Sequence, residues 1–226
     1  AGAGEDVAGL LGPQCLDWLL SCQHLNRHSF SGANPGGFGW SDLSGAVPDA
    51  DDTPGAILAL NAWQQSRSSF KADDQRVEVA LQRASRWMLG LMNWDGGWPT
   101  FCRGWGRLPF DRSGSDLTAH ALRALNIDGD DCDPYESTSY LLATQHSDGS
   151  WSPLWFGNQD HPQEENPVYG TAKVLMAYRD LGLMEEPEAV SGVDWLLANQ
   201  NEDGGWGSGV WQMRDVQSLV GRSAPV

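Results

Sequence analysis

One short pattern recurs along the chain and restricts its fold more than any other feature. It runs aromatic-x-Leu-x-x-Gln-x-x-Asp-Gly-x-Trp. It is clearest at 140–151 and 195–206, with a variant at 87–98 and a partial copy beginning Trp18-Leu19-Leu20-Ser21-Cys22-Gln23. Counted at the closing tryptophans Trp40, Trp98, Trp151 and Trp206, the intervals are 58, 53 and 55 residues. A period near 55 marks an array of supersecondary units, each too small to bury its own apolar face. The pattern also accounts for an unusual composition, 12 Trp and 27 Gly in 226 residues.

Each unit reads as two helices. The helix before the motif is amphipathic: Leu16, Leu19 and Leu20 share a face, as do Val193, Leu196 and Leu197. The Asp-Gly or Gly-Gly step is expected to end it, because glycine accepts the left-handed cap, with the Gln and Trp bracing the turn against neighbouring helices. A second helix follows. Thr53-Pro54-Gly55-Ala56-Ile57-Leu58-Ala59 aligns with Thr118-Ala119-His120-Ala121-Leu122-Arg123-Ala124 and with Thr171-Ala172-Lys173-Val174-Leu175-Met176-Ala177. These segments are small and apolar, as suits the inner ring of a toroid. Helices are predicted at 13–23, 53–65, 74–92, 116–125, 135–145, 169–182 and 187–200, with an eighth starting near Asp215. No period-2 strand pattern is present, so the class is all-α, in one domain over 1–226.

Acids outnumber Lys and Arg by 30 to 14, a net charge of −16. That argues against nucleic-acid partners, whose phosphates call for positive charge, and against a basic patch for anionic membranes. No apolar run approaches the roughly 18 residues of a transmembrane helix. The segment 1–12 has acids and no basic stretch, unlike a signal peptide. Cys15, Cys22, Cys102 and Cys132 show no CxxC spacing and read as thiols of a reducing cytosol.

The sequence Pro48-Asp49-Ala50-Asp51-Asp52-Thr53-Pro54 sets three carboxylates just before an inner helix. Pro54 suits the first turn, and Asp52 as an N-cap explains one acid. Three acids this close cannot all ionise cheaply, so one is expected to keep its proton near neutral pH and to be a candidate Brønsted acid. A hard cation is the competing use of such a cluster. Two residues before the aligned threonines stand Asp51, Asp116 and Tyr169, which a toroid would bring to one rim. His120 lies one helical turn after Asp116, on the same face, where an imidazole can hydrogen-bond a carboxyl.

The Asp49-Ala50-Asp51-Asp52-Thr53 motif together with the Gln-Trp repeats resembles the class II terpene cyclases, specifically the squalene–hopene cyclase family. The likeness runs from about Leu16 to Trp206 and corresponds to the second, catalytic half of those enzymes. It implies an incomplete α/α toroid of helix-pair repeats. It also implies a proton-initiated carbocationic cyclisation of a polyprene such as squalene, with no cofactor and no metal. By resemblance Asp51 is the proton donor, Asp49 and Asp52 its flanking partners, and Asp116 and His120 the matching Asp-x-Thr-Ala-His, whose His hydrogen-bonds the acid. Tyr169 matches a tyrosine of the reprotonation network. Trp40, Phe101 and Trp155 match pocket aromatics that stabilise cations.

There are departures. The first repeat has Gly36-Gly37-Phe38-Gly39-Trp40 after an insert, and the segment 157–168 is longer than in the family. The first half of a full cyclase and the end of the barrel are absent from the match. An open apolar seam is therefore expected, closed by a second copy or by a preceding cyclase domain. The resemblance places the chain in the cytoplasm and allows peripheral contact with a membrane surface. The alternatives are a non-catalytic α/α-toroid binding module or inactive cyclase fragment, a zinc prenyltransferase-like subunit, and a glycosidase with paired carboxylates. Cys102, Cys132 and His120 lack zinc-ligand spacing, and a glycosidase leaves the Gln-Trp repeats unexplained.

Overall fold

The computed structural model describes residues 7–65, 74–101, 111–126, 134–157 and 163–206. Seven helices are present among them: α1 (Val7–Ser21), α2 (Asp52–Gln65), α3 (Asp74–Leu91), α4 (Ser115–Leu125), α5 (Pro134–Thr144), α6 (Pro167–Asp180) and α7 (Pro187–Ala198). They match the seven predicted segments to within a few residues, except that α1 begins earlier and kinks at Gly12, where φ is 67° ahead of Pro13. Cys102, Cys132 and the eighth helix expected near Asp215 lie outside the described residues. The one sheet among the described residues is a two-residue antiparallel ribbon, β1 (Trp98–Pro99) with β2 (Ser113–Gly114).

Inner and outer helices alternate. Helix α4 packs between α2 and α6, while α1, α3, α5 and α7 lean on the inner set from outside. Nine of the eleven residues of α4 are buried, which is why its sequence is mostly small and apolar. One apolar cluster gathers α1, α2, α3 and part of α4 around Leu60, Met88 and Trp98. A second joins α4, α5, α6 and α7 around Leu141, Trp151 and Tyr178. Of the predicted outer-helix faces, Leu16, Leu19 and Leu20 pack inward, as do Val193 and Leu196. Leu197, expected beside them, is instead exposed.

The repeat has a mechanical explanation. The Gln side chain donates twice across the turn: Gln23 Nε2 to the carbonyls of Gly36 and Ala80, and Gln145 Nε2 to those of Gly149 and Glu188, all at 2.9 Å. Each Gln thus ties its own loop to the next outer helix. The Asp folds back on the loop, with Asp95, Asp148 and Asp203 Oδ1 accepting from the amide two residues on. The buried closing indoles donate to a carbonyl ten residues earlier: Trp98 to Met88 at 2.8 Å and Trp151 to Leu141 at 2.6 Å.

Two sequence expectations are corrected here. The glycine does not end the helix. Helices α3, α5 and α7 stop at Leu91, Thr144 and Ala198, and the left-handed Gly96, Gly149 and Gly204 (φ 83°, 94° and 85°) shape the turn beyond. The closing aromatic of the first unit is Phe38, not Trp40. Its backbone N–H donates to Thr53 Oγ1 at 2.9 Å, as those of Trp98 and Trp151 donate to Thr118 and Thr171 at 3.0 and 2.9 Å. Phe38 is buried, whereas Trp40 is 53% exposed. His24 to Gly36 spans twelve residues where Asn93 to Gly96 spans three, and that insert hid the equivalence.

The buried threonine hydroxyl therefore clips each inner helix to its turn. Thr118→Val removes the acceptor while keeping the shape, stranding the Trp98 amide in the core. It is expected to destabilise the chain by about 1–3 kcal/mol, read as a lower urea midpoint. A midpoint equal to that of the unaltered chain would show that the clip does not hold the fold.

Candidate active site

The acidic segment enters α2 through a built turn. The Asp49 backbone bridges that of Phe101, and the Ala50 amide donates to the Thr100 carbonyl at 3.1 Å. Asp49 Oδ1 accepts the amides of Asp51 and Asp52 at 2.9 and 2.6 Å. Asp49, and not Asp52 as the sequence suggested, is thus the capping side chain, satisfying amides that a helix start leaves free.

The three carboxyls have separate environments. Asp49 is buried beside the Asp52 carboxyl; burial first, then its acidic neighbour, push its pKa up to about 8, although the two backbone amides oppose this. Asp51 is held below the usual carboxylate range. Its hydrogen bond from His120 outweighs partial burial, and the charges of His120 and Lys173 add to the effect. His120 Nδ1 lies 3.0 Å from Asp51 Oδ1. The proton that crowding was expected to retain is therefore kept on Asp49 and not on Asp51.

Asp116 sits in the first turn of α4 and is fully enclosed. Neither of its oxygens has a well-formed hydrogen bond among the described residues. Burial raises its pKa to about 6, tempered by the nearby amides of Asp116 and Leu117 and reinforced by the Asp51 charge. Tyr169, half-buried at the start of α6, is pushed up by burial and then by Asp51 and Asp116. Asp51, Asp116 and Tyr169 thus lie within electrostatic reach of one another, as the threonine alignment requires.

A cavity of about 390 Å³ opens beside the acid, within the size range of small-molecule sites. Trp18, Leu19, Phe38, Trp40 and Ala56 supply its apolar wall, and Asp51, Asp52, His120 and Lys173 its polar side. A larger cavity, about 590 Å³, lies against α3 between Arg83, Arg86 and Trp87 and holds none of the expected site residues. We place the site at the smaller one, where the carboxyls are. Phe101 and Trp155 do not line it; their rings meet each other edge to face at 6.5 Å. No cluster of three or more metal-binding side chains occurs among the described residues.

Trp18 and Lys173 were not singled out from sequence. Lys173 was within reach: it stands two residues after Thr171, as His120 does after Thr118 and Gly55 after Thr53. All three line the cavity.

The family model described as the squalene-hopene cyclase C-terminal domain matches residues 13–225. The chain is 28% identical over 227 residues to the squalene–hopene cyclase of Bradyrhizobium diazoefficiens, covering 91% of this chain and 32% of that protein. It is 30% identical over 216 residues to the probable squalene–hopene cyclase of Sinorhizobium fredii, covering 86% of this chain and 31% of that one. The chain spans about a third of the length of these curated relatives. A solved variant of the type II terpene cyclase MstE from Scytonema, in complex with geranylgeranyl dihydroxybenzoate, superposes with a TM-score of 0.56 at 17% identity, covering 84% of this chain and 50% of that one. That likeness supports the α/α toroid. With nearly its whole length matched by one domain family and its inner helices ordered as that fold requires, the chain belongs to the squalene–hopene cyclase C-terminal domain family.

Proposed function

We propose that this chain is the acid-bearing half of a class II terpene cyclase. In this reading it protonates the terminal alkene of a polyprene such as squalene and thereby starts a carbocationic polycyclisation. The observation that carries the reading is the Asp51–His120 contact of 3.0 Å at the wall of a Trp-lined cavity. An alkene is a very weak base, so its proton donor must be a strong acid in a place without competing water. His120 stabilises the carboxylate left behind, which makes Asp51 the strongest acid of the three. An apolar chain filling the cavity strips water from Asp51, and desolvation favours the protonated carboxyl just before transfer. Asp49 keeps the turn capped and holds a proton close by, with Asp52 beside it. Asp116 and Tyr169, within electrostatic reach of Asp51, are the groups through which the acid is reprotonated.

Trp40 lines the cavity and offers its ring face to the cations, worth about 2 kcal/mol when desolvated, whereas Phe101 and Trp155 do not line it. Proton-initiated cyclisation needs no organic cofactor. The cyclase half missing from the match, or a second copy, would cover the exposed Trp18, Trp40 and Trp155, and a membrane surface would deliver so apolar a substrate.

A second reading is a non-catalytic toroid module that binds polyprenes. It is favoured by the exposure of Trp18 and Trp40, half open to solvent on the cavity wall. Incubation with squalene in detergent, followed by gas chromatography, separates the two. Cyclic product supports the first; tryptophan fluorescence changes without product support the second. On the first reading, His120→Phe is expected to slow product formation about a hundredfold, because the carboxylate loses its hydrogen bond. An unchanged rate would remove His120 from the chemistry.

A further inference from the structure

The polar side of the cavity holds a second cation besides the histidine. Lys173 projects from α6, its ammonium 3.9 Å from Asp51 Oδ1 and 5.5 Å above the centre of the Tyr169 ring. His120 Nδ1 meets the same oxygen at 3.0 Å. Among the described residues no hydrogen bond or ion pair reaches Oδ2. Among the described residues Lys173 and His120 are the only basic side chains lining the cavity. Resting on the reading of Asp51 as the acid, we propose that Lys173 is a positioning residue for proton delivery. Together with His120 it commits Oδ1 of Asp51 to positive partners, leaving Oδ2 as the oxygen that carries the proton and releases it into the cavity.

In the step itself the Oδ2–H bond breaks and the alkene π pair forms a new C–H bond. The other alkene carbon becomes the cation, and the bonding pair stays on Oδ2 as carboxylate. The ammonium and the imidazole then face a full negative charge, which they stabilise more than the neutral acid. Among the described residues the other titratable groups facing Asp51 are Asp49 before α2, Asp52 at its start, Asp116 on α4, Tyr169 on α6 and Cys22 after α1, with His24 behind Gly39; the Asp51 and Asp116 charges oppose each other. Lys173 thus adds to the field of His120 at this oxygen, the smaller of the two contributions. Its seat on the Tyr169 face keeps the ammonium near Oδ1.

The test reads the carboxyl directly and does not depend on turnover. The whole chain, carrying ¹³C-labelled aspartate carboxyls, is titrated by NMR, and the Asp51 signal is assigned by its absence in Asp51→Asn. In Lys173→Met the Asp51 midpoint is expected to rise by at least about half a pH unit, roughly threefold in the acid dissociation constant. In Lys173→Arg it should move by less than half as much. Circular dichroism confirms that each variant is folded. With squalene, Lys173→Met should lower kcat several-fold at nearly constant KM. An unmoved midpoint overturns the pairing, and a moved midpoint with unchanged kcat overturns the role in delivery. Failure of the acid assignment shows up separately, as Asp51→Asn protein that still forms product.

Discussion

Asp51→Asn is expected to abolish cyclic product while the chain stays folded. The amide has no proton acidic enough for an alkene, and no other carboxyl combines exposure to the cavity with a hydrogen bond from His120. Loss of a positioned general acid typically costs about 10²–10⁴ in rate, or about 3–5 kcal/mol of barrier. Here the acid also starts the reaction, so product should fall below detection by gas chromatography. The fold should survive. The Asp51 backbone amide still donates to Asp49, and an Asn oxygen still meets the imidazole. Stability should stay within about 1 kcal/mol of the unaltered chain. Product at the original rate from a folded Asp51→Asn chain would dismiss the proton-donor assignment.

Trp151→Ala is expected to have the largest effect on stability. The indole is fully buried, its N–H donates to Leu141, and its ring lies 6.2 Å from that of Tyr178. Helix α7 is pressed onto it so closely that a Cβ at Gly192 would stand 2.8 Å from the ring. Truncation leaves a large cavity at the junction of α5, α6 and α7 and leaves the Leu141 carbonyl with the Thr144 hydroxyl but without the indole N–H. A cost of about 3–5 kcal/mol follows, much of what a domain this size has in reserve. Trp94→Ala is the matched control: that side chain is 98% exposed and should change stability by less than about 0.5 kcal/mol. Denaturant midpoints check both, and equal midpoints would refute the bracing role of the repeat tryptophan.

The order of the seven described helices was legible in the sequence because each unit repeats its own start, stop and apolar face. The threonine alignment was legible too, and its cause is the side-chain clip to the closing aromatic, seen at Thr53, Thr118 and Thr171. It grouped Asp51, Asp116 and Tyr169, which lie within electrostatic reach of one another, although of the three Asp51 alone lines the cavity. Applied two residues further on, the same alignment would have added Lys173. The first unit misled because an insert separates Gln23 from its glycines, so Trp40 stood in for Phe38. Phe101 and Trp155, chosen by spacing from the repeat tryptophans, do come together, but with each other and away from the cavity that Trp40 lines.

The repeat spacing, the helical periodicity and the clustering of acids before an inner helix are properties of the chain in order along itself. They determined the toroid and nominated the carboxyls. Which carboxyl keeps a proton was decided only in three dimensions. Asp49, Asp51 and Asp52 are near neighbours of one residue type, and what separates them is burial for Asp49 against an imidazole and an ammonium for Asp51. Those partners arrive from α4 and α6, 69 and 122 positions along the chain. A local pattern carries no record of them, because a pKa answers to the field at the oxygen and that field exists only once the inner helices stand side by side.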